Sequence, residues 1–231
     1  MYYWIILGIG ILITILFLYL RVQKGGLWGL FSKAAASLSF VALGLAGLTL
    51  HLEHIGFGTF MLFGLICGML GDIWLDLKWI YEKDKAVFLY AGFLSFMLGH
   101  VAFIIAQHTL LSFTWPQTLA SVGIALIIAI VALLLEKPMK IQYGAFKTIV
   151  FFYTFVLSLT MTTAMVGTVV TKFTTAWIAL SIGSLLFLLS DLVLSGTYFG
   201  KGKNTKGQVF LNHILYYGAQ FTLASVICLV N

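Results

Sequence analysis

The stretch FGTFMLFGLICGMLGDIWLDL, residues 57 to 77, decides the fold class of this chain. Apart from Thr59, Asp72 and Asp76, every residue in it is apolar or glycine. A helix needs about 20 such residues to cross a bilayer, so the run predicts a membrane-spanning helix. Asp72 and Asp76 are four residues apart, and they therefore share one face of that helix.

The composition of the whole chain points the same way. Of 231 residues, 61% are hydrophobic and 9% are charged, whereas about 25% are charged in an ordinary soluble domain. We therefore predict an all-α, polytopic membrane protein with eight transmembrane helices in one bundle, forming a single domain over residues 1–231. The predicted spans cover residues 2–20, 34–50, 57–77, 86–107, 116–135, 147–170, 174–196 and 209–230.

The basic residues predict how the spans are oriented. Twelve of the 13 fall in loops on one side, and Lys172 alone falls on the other. Because cytoplasmic loops carry the excess of lysine and arginine, we predict a cell-membrane protein with both termini outside. The net charge of +6 then follows from topology, and no nucleic acid partner is predicted. The predicted cytoplasmic residues are Arg21, Lys24, Lys33, Lys78, Lys83, Lys85, Lys137, Lys140, Lys147, Lys201, Lys203 and Lys206.

A second span carries an acid at a depth comparable to that of Asp72. It is Asp191, in LLFLLSDLVLSG, residues 185 to 196. Ionisable groups inside a membrane are rare and by default functional, so Asp72 and Asp191 are the predicted catalytic residues and Asp76 a supporting one. Two alternatives stay open: a structural acceptor role for the deeper pair, and an interfacial ion pair between Asp76 and either Lys78 or a neighbouring loop lysine.

The segments around the two acids resemble each other. MLGDIWLD, residues 69 to 76, and LLSDLVLS, residues 188 to 195, lie 119 residues apart, with four predicted spans per period. This likeness suggests a parallel repeat of four plus four helices.

The eighth predicted span adds polar groups to the cytoplasmic half of the membrane. In VFLNHILYYGAQ, residues 209 to 220, Asn212, Tyr216 and Gln220 recur every four residues and share a face. Together with His213 and Tyr217, they are predicted to complete a polar pocket.

Two further segments contain histidine, and the sequence predicts different roles for them. His100, in SFMLGHVAF of the fourth span, is either a helix-to-helix hydrogen-bonding group or a supporting catalytic residue. HLEH, residues 51 to 54, lacks the HExxH spacing and is predicted to be an exterior loop. No metal or cofactor is predicted.

These residue types favour acid–base chemistry. The chain has no GxSxG motif, and Cys67 and Cys228 lack CxxC spacing, so acyl-enzyme chemistry has little support. Two carboxyl groups in a medium of low dielectric can hold unequal proton affinities and provide both an acid and a base. Such a pair could hydrolyse an acid-labile bond or relay protons. The surrounding lysines favour an amphiphilic substrate with a phosphate-bearing head group.

The chain resembles the YhhN-like lysoplasmalogenase family of eight-span membrane proteins along essentially its whole length. The motifs that carry the resemblance are LFSK ending at Lys33, MLGDIWL with Asp72, YAGFLSFMLGHVAF with Phe96 and His100, LLFLLSDLVLSG with Asp191, and YYGAQ with Tyr217 and Gln220. The resemblance implies hydrolysis of the vinyl ether bond of lysoplasmalogens, with a lysophospholipid substrate. It also implies that Asp72 and Asp191 form the catalytic pair. For the implied reaction, Lys33 is the candidate ligand of the head-group phosphate, and His100 and Tyr217 are candidates for orienting the reacting groups.

Two other classes of function compete with this one. A proton-coupled transporter would explain the suggested repeat and the acids inside the membrane. An intramembrane aspartyl protease is disfavoured, because Met69 stands where its GxGD motif requires glycine.

Overall fold

The computed structural model describes residues 2–202 and 204–230, so Met1, Lys203 and Asn231 lie outside the described residues. Over the described ranges the chain forms eight α-helices and no strand, apart from one isolated bridge between Ile141 and Gly200. The helices are α1 Tyr2–Gln23, α2 Gly26–Leu50, α3 Ile55–Leu77, α4 Lys85–Leu110, α5 Trp115–Leu134, α6 Lys147–Val170, α7 Thr175–Phe199 and α8 Lys206–Val226. The predicted all-helical fold is confirmed.

Seven of the helices, α1 to α7, are long and apolar enough to cross a membrane, and the chain is therefore a multi-pass membrane protein. Within the described part of the chain, α8 does not reach the same hydropathy. The reason is its sequence, since it begins at Lys206 and carries Asn212, His213 and Gln220 on its way through. A membrane-spanning role for α8 stays a prediction.

Most helix boundaries fall close to the predicted spans, but the predicted start of the second span at residue 34 was wrong. α2 begins at Gly26, directly after a turn in which Gly25 and Gly26 adopt φ of 62° and 53°. Glycine tolerates these positive values, which other residues rarely adopt. Lys33 therefore lies inside the helix instead of in the loop before it.

The segments before α5 and α3 have well-defined local structure. Pro116 lies in the first turn of α5, where its missing N–H is harmless. The preceding Thr114 donates its backbone N–H to Gln117 Oε1 at 2.8 Å, the reciprocal half of a capping box. The HLEH segment forms a short connection between α2 and α3, with one 3₁₀ turn over Leu52–His54.

The chain divides into two compact units. One comprises Met1–Ala106 with Ala224–Asn231, and the other comprises Gln107–Leu223. The first contains α1 to α3 and most of α4, and the second contains α5 to α7 and most of α8. This grouping follows the suggested division into four plus four helices. The likeness of the two halves and the single domain over residues 1–231 stay predictions.

Glycines let α3 and α4 approach each other closely in the first unit. A Cβ at Gly99 would lie 2.9 Å from the backbone oxygen of Gly64, and one at Gly71 would lie 2.7 Å from the Phe96 ring. Small residues at such positions favour tight helix pairs in membranes. Because Gly71 precedes Asp72, this packing holds the acid-bearing face of α3 inside the unit.

In the second unit, α7 packs against both α6 and α8. A Cβ at Gly167 of α6 would clash with the Trp177 ring, and one at Gly183 would lie 2.9 Å from Leu223. The α7 residues that face these neighbours, including Phe187 and Ser190, are buried. Asp191 follows directly after this buried face.

Candidate functional site

Lys33 and Ser37 on α2 face Asp72 and Asp76 on α3, and each pair is spaced by four residues. Ser37 donates its hydroxyl to Asp72 Oδ2 at 2.6 Å. Lys33 Nζ lies 3.1 Å from Asp72 Oδ1 and 3.4 Å from Asp76 Oδ1. The antiparallel course of the helices brings this about, because each pair occupies one helical face. The structure thus brings Lys33 to Asp72 and Asp76, the acid pair that the sequence placed on one face of α3.

A residue from α1 completes the group. Arg21 Nη1 lies 2.8 Å from Asp76 Oδ2. A Cβ at Gly29 would lie 3.0 Å from the same Arg21 nitrogen, so this glycine leaves room for the guanidinium. We refer to Arg21, Lys33, Ser37, Asp72 and Asp76 as the charge cluster.

The charge cluster is buried, which makes its internal pairing important. Asp72 and Asp76 are each 2% exposed, and Lys33 is 5% exposed. Removing charges from water costs several kcal/mol per ion, which only close pairing and hydrogen bonds can offset. Here two carboxylates meet two cations, and Lys33 bridges both acids. Asp76 is thus part of a buried network with Arg21 and Lys33, two residues that the sequence analysis counted as loop charges.

Lys78 lies next to this network, just beyond the end of α3, and is 1% exposed. Burial lowers the pKa of Lys78 from its ordinary 10.5 to about 5. The positive charges of Lys33, Lys85 and Arg21 also lower this pKa, while the carboxylate of Asp76 raises it. The folded protein therefore holds Lys78 as a neutral amine at neutral pH.

This pKa predicts how stability depends on pH. Between about pH 5 and pH 10.5 the unfolded chain binds a proton at Lys78 that the folded chain does not, so stability rises with pH in that window. We expect Lys78→Met to flatten the rise and to increase the melting temperature at pH 6. Thermal unfolding of the detergent-solubilised protein across the window measures both effects. Lys83→Met, at an exposed lysine, should keep the wild-type slope, and equal slopes in all three proteins would contradict the assignment.

His100 lies on α4 in the first unit and is 1% exposed. The edge of the Phe103 ring packs against it with centroids 5.7 Å apart. The contacts of Gly71 with Phe96 and of Gly64 with Gly99 set the α3–α4 register. These two contacts put His100 about five to nine residues, or roughly 8 to 14 Å along the helix axis, from the level of Asp72.

Asp191 lies in the second unit, at an intermediate degree of burial. Tyr153, the single tyrosine of α6, donates its hydroxyl to Asp191 Oδ2. Ser190 Oγ lies 3.5 Å from Asp191 Oδ1 and donates more closely, at 2.8 Å, to the Phe187 carbonyl. The Tyr153 hydroxyl of α6 therefore orients the carboxyl group.

The predicted polar face of α8 is buried in the second unit. Asn212 donates to the Ser190 carbonyl at 2.8 Å, and Gln220 donates to the Tyr216 hydroxyl at 2.9 Å. Asn212 and Tyr216 are each 5% exposed and Gln220 is 0% exposed. The shared face of these three residues is confirmed.

The other two polar residues of α8 are engaged locally. His213 Nδ1 lies 2.6 Å from the Val209 carbonyl one turn earlier, so Nδ1 carries the proton of that bond. The His213 ring stacks on Tyr217 at 6.4 Å between centroids, and Tyr217 is 2% exposed.

Sequence reasoning missed three residues that contact the predicted acids: Arg21, Ser37 and Tyr153. Arg21 was counted only as a loop charge, and Ser37 looked like an ordinary small residue of a span. A signal for Ser37 was present, since it follows Lys33 by four residues, the spacing of Asp72 and Asp76. Tyr153 was marked only by being the one tyrosine of its helix.

A comparison with models of protein families shows which family this chain belongs to. The model of the YhhN family matches residues 28–227. The chain belongs to the YhhN family. The match covers α2 from residue 28 and the whole of α3 to α8, and it therefore includes Lys33, Asp72 and Asp191, while Arg21 precedes it. No curated protein and no solved structure matches the chain.

Proposed function

We propose that this YhhN-family protein is an integral membrane hydrolase that cleaves the vinyl ether bond of lysoplasmalogens. The products are a fatty aldehyde and glycerophosphoethanolamine or glycerophosphocholine. The observation that carries the proposal is the buried Asp72, held between the Ser37 hydroxyl and the Lys33 ammonium. A polar group this costly to bury inside an apolar helix calls for a functional reason.

The reaction needs a proton donor and a base. A proton adds to the outer carbon of the vinyl ether and leaves an oxocarbenium ion. Water then adds to that ion, and loss of its proton gives a hemiacetal. The hemiacetal collapses to the aldehyde and frees the glycerol hydroxyl. General acid–base catalysis of this kind contributes about 10²- to 10⁴-fold to a rate.

The contacts of the two acids suggest different roles. Lys33 offsets the charge of an ionised Asp72, which suits a base that accepts the proton of the attacking water. Because Asp72 is assigned as the base, we assign proton donation to Asp191, whose carboxyl group accepts a hydrogen bond from Tyr153. The action of both acids on one substrate stays a prediction.

Phosphate recognition by Lys33 stays a proposal as well. An ammonium group has three N–H donors, and Asp72 and Asp76 engage Lys33 from two directions. A head-group phosphate would therefore share this lysine with the carboxylates. The predicted orientation puts Lys33 in the cytoplasmic half of the membrane, where a lysophospholipid head group would lie.

The direct experiment is incubation of the purified protein in detergent with a lysoplasmalogen. We expect stoichiometric release of fatty aldehyde and a glycerophosphodiester, measured by mass spectrometry. An acyl lysophospholipid of the same chain length is the matched control, because it lacks the vinyl ether and should yield no aldehyde. Absence of both products from all lysoplasmalogens tested would refute the proposal.

One observation favours a second candidate, a proton-coupled transporter. The chain divides into two compact units with four helices apportioned to each, as repeat-based transporters often do. Uptake into proteoliposomes that depends on a pH gradient, with no lipid product formed, would support this candidate over the hydrolase.

A further inference from the structure

Four fully buried polar side chains lie inside the second unit, and each has an oxygen without a hydrogen-bond partner among residues 2–202 and 204–230. These oxygens are Gln107 Oε1, Ser158 Oγ, Ser184 Oγ and Gln220 Oε1. All four residues are 0% exposed. The large majority of buried polar groups in proteins are bonded to other protein groups or to ordered water, so four such atoms in one unit require an explanation.

The helix register places two of these residues at one level. The bond from Tyr153 to Asp191 aligns the antiparallel helices α6 and α7. Ser158 follows Tyr153 by five residues, and Ser184 precedes Asp191 by seven. Because the helices are antiparallel, Ser158 and Ser184 lie within one turn of the same level.

The other two residues fall at the same level. Gly183 of α7 packs against the Ala219 carbonyl of α8, so Gln220, the next residue of α8, lies near the level of Ser184. Gln107 of α4 donates its amide to the Thr160 carbonyl of α6 at 3.2 Å. The polar atoms are thus gathered in one layer of the unit.

A line of polar groups on α8 leads from this layer toward Asp191. Gln220 bonds to Tyr216, and Asn212 bonds to the carbonyl of Ser190, the neighbour of Asp191. Asn212 and Gln220 are eight residues apart, which is about 12 Å along the helix. We refer to Gln107, Ser158, Ser184 and Gln220, with Asn212 and Tyr216, as the polar seam.

We propose that the polar seam binds internal water and conducts it through the second unit to Asp191. Buried water typically makes two to four bonds to groups that the protein leaves unsatisfied, which matches the four oxygens. The use of this water in hydrolysis rests on the proposed function, whereas its presence in the seam does not.

Radiolytic labelling tests the presence of water. Short X-ray pulses produce hydroxyl radicals from water and oxidise side chains next to bound water. Tyr216, in the seam, is the reporter, and Trp177, buried in the same unit, is the control; each is 5% exposed. We expect several-fold more oxidation at Tyr216 than at Trp177 in the wild-type protein. Equal protection of the two rings would overturn the proposal.

Variants test whether the seam residues hold that water. Ser184→Ala with Gln220→Leu should reduce labelling of Tyr216 to the level of Trp177, and Ser184→Ala alone should reduce it in part. Thr222→Val is the matched control, because Thr222 bonds only to the Gly218 carbonyl of its own helix in the described contacts. Unchanged Tyr216 labelling in both seam variants would also overturn the proposal.

Activity separates this inference from the proposed function. Gln220→Leu should slow aldehyde release several-fold, and Thr222→Val should leave it unchanged. If the wild-type protein releases no aldehyde, the hydrolase proposal fails, while labelling of Tyr216 still decides whether the seam holds water. Full activity in Gln220→Leu would overturn conduction to Asp191.

Discussion

Replacement of Asp72 by asparagine is expected to lower aldehyde release from lysoplasmalogen by about 10²- to 10⁴-fold, the usual contribution of a general acid or base. Asparagine keeps the size of the side chain and can still accept the hydrogen bond from Ser37. It cannot take up a proton from water. Initial rates at saturating substrate, with the protein concentration matched, measure the loss.

Asp191→Asn is expected to cause a loss of similar size, because the amide cannot donate an acidic proton to the vinyl ether. If both acids serve one reaction, the double variant should be little slower than either single variant, since residues that act as a unit are non-additive. Asp84→Asn is the control, at an exposed acid between α3 and α4, and should retain wild-type activity. Near-normal rates in either buried variant would remove the proposed mechanism.

Replacement of Lys33 by methionine should have the largest effect on stability. Lys33 bridges Asp72 and Asp76, and its loss would leave the charge of Asp72 uncompensated at a buried position. Removal of one partner from a buried ion pair costs about 3 to 5 kcal/mol. Chemical or thermal unfolding in detergent measures the change, and Lys83→Met should show none because Lys83 is exposed.

A second substitution distinguishes lost charge compensation from lost packing. Adding Asp72→Asn to Lys33→Met removes one unpaired carboxylate, so the double variant should recover part of the lost stability. Such a recovery is non-additive and reports direct coupling between the two side chains. A double variant that is less stable than Lys33→Met by the full cost of Asp72→Asn would show that the charges do not interact.

The α-helical, multi-pass architecture was readable from the sequence because it depends on local properties. Run length and hydropathy located the helices. The same local reasoning started the second span at residue 34, after Lys33, whereas α2 begins at Gly26. The sequence did not show that Asp72 and Asp76 pair with Lys33 and so stabilise its charge inside the protein.

The sequence by itself determined that Asp72 and Asp76 share a face, that Asn212, Tyr216 and Gln220 share another, and that the chain crosses a membrane. Helical periodicity and hydrophobicity suffice for these conclusions. Only the tertiary structure decided which groups meet those faces: Arg21 and Lys33 at Asp76, and Tyr153 at Asp191. These contacts depend on how the helices are aligned and packed against each other. That alignment is set by residues far apart in the chain, so no single segment encodes it.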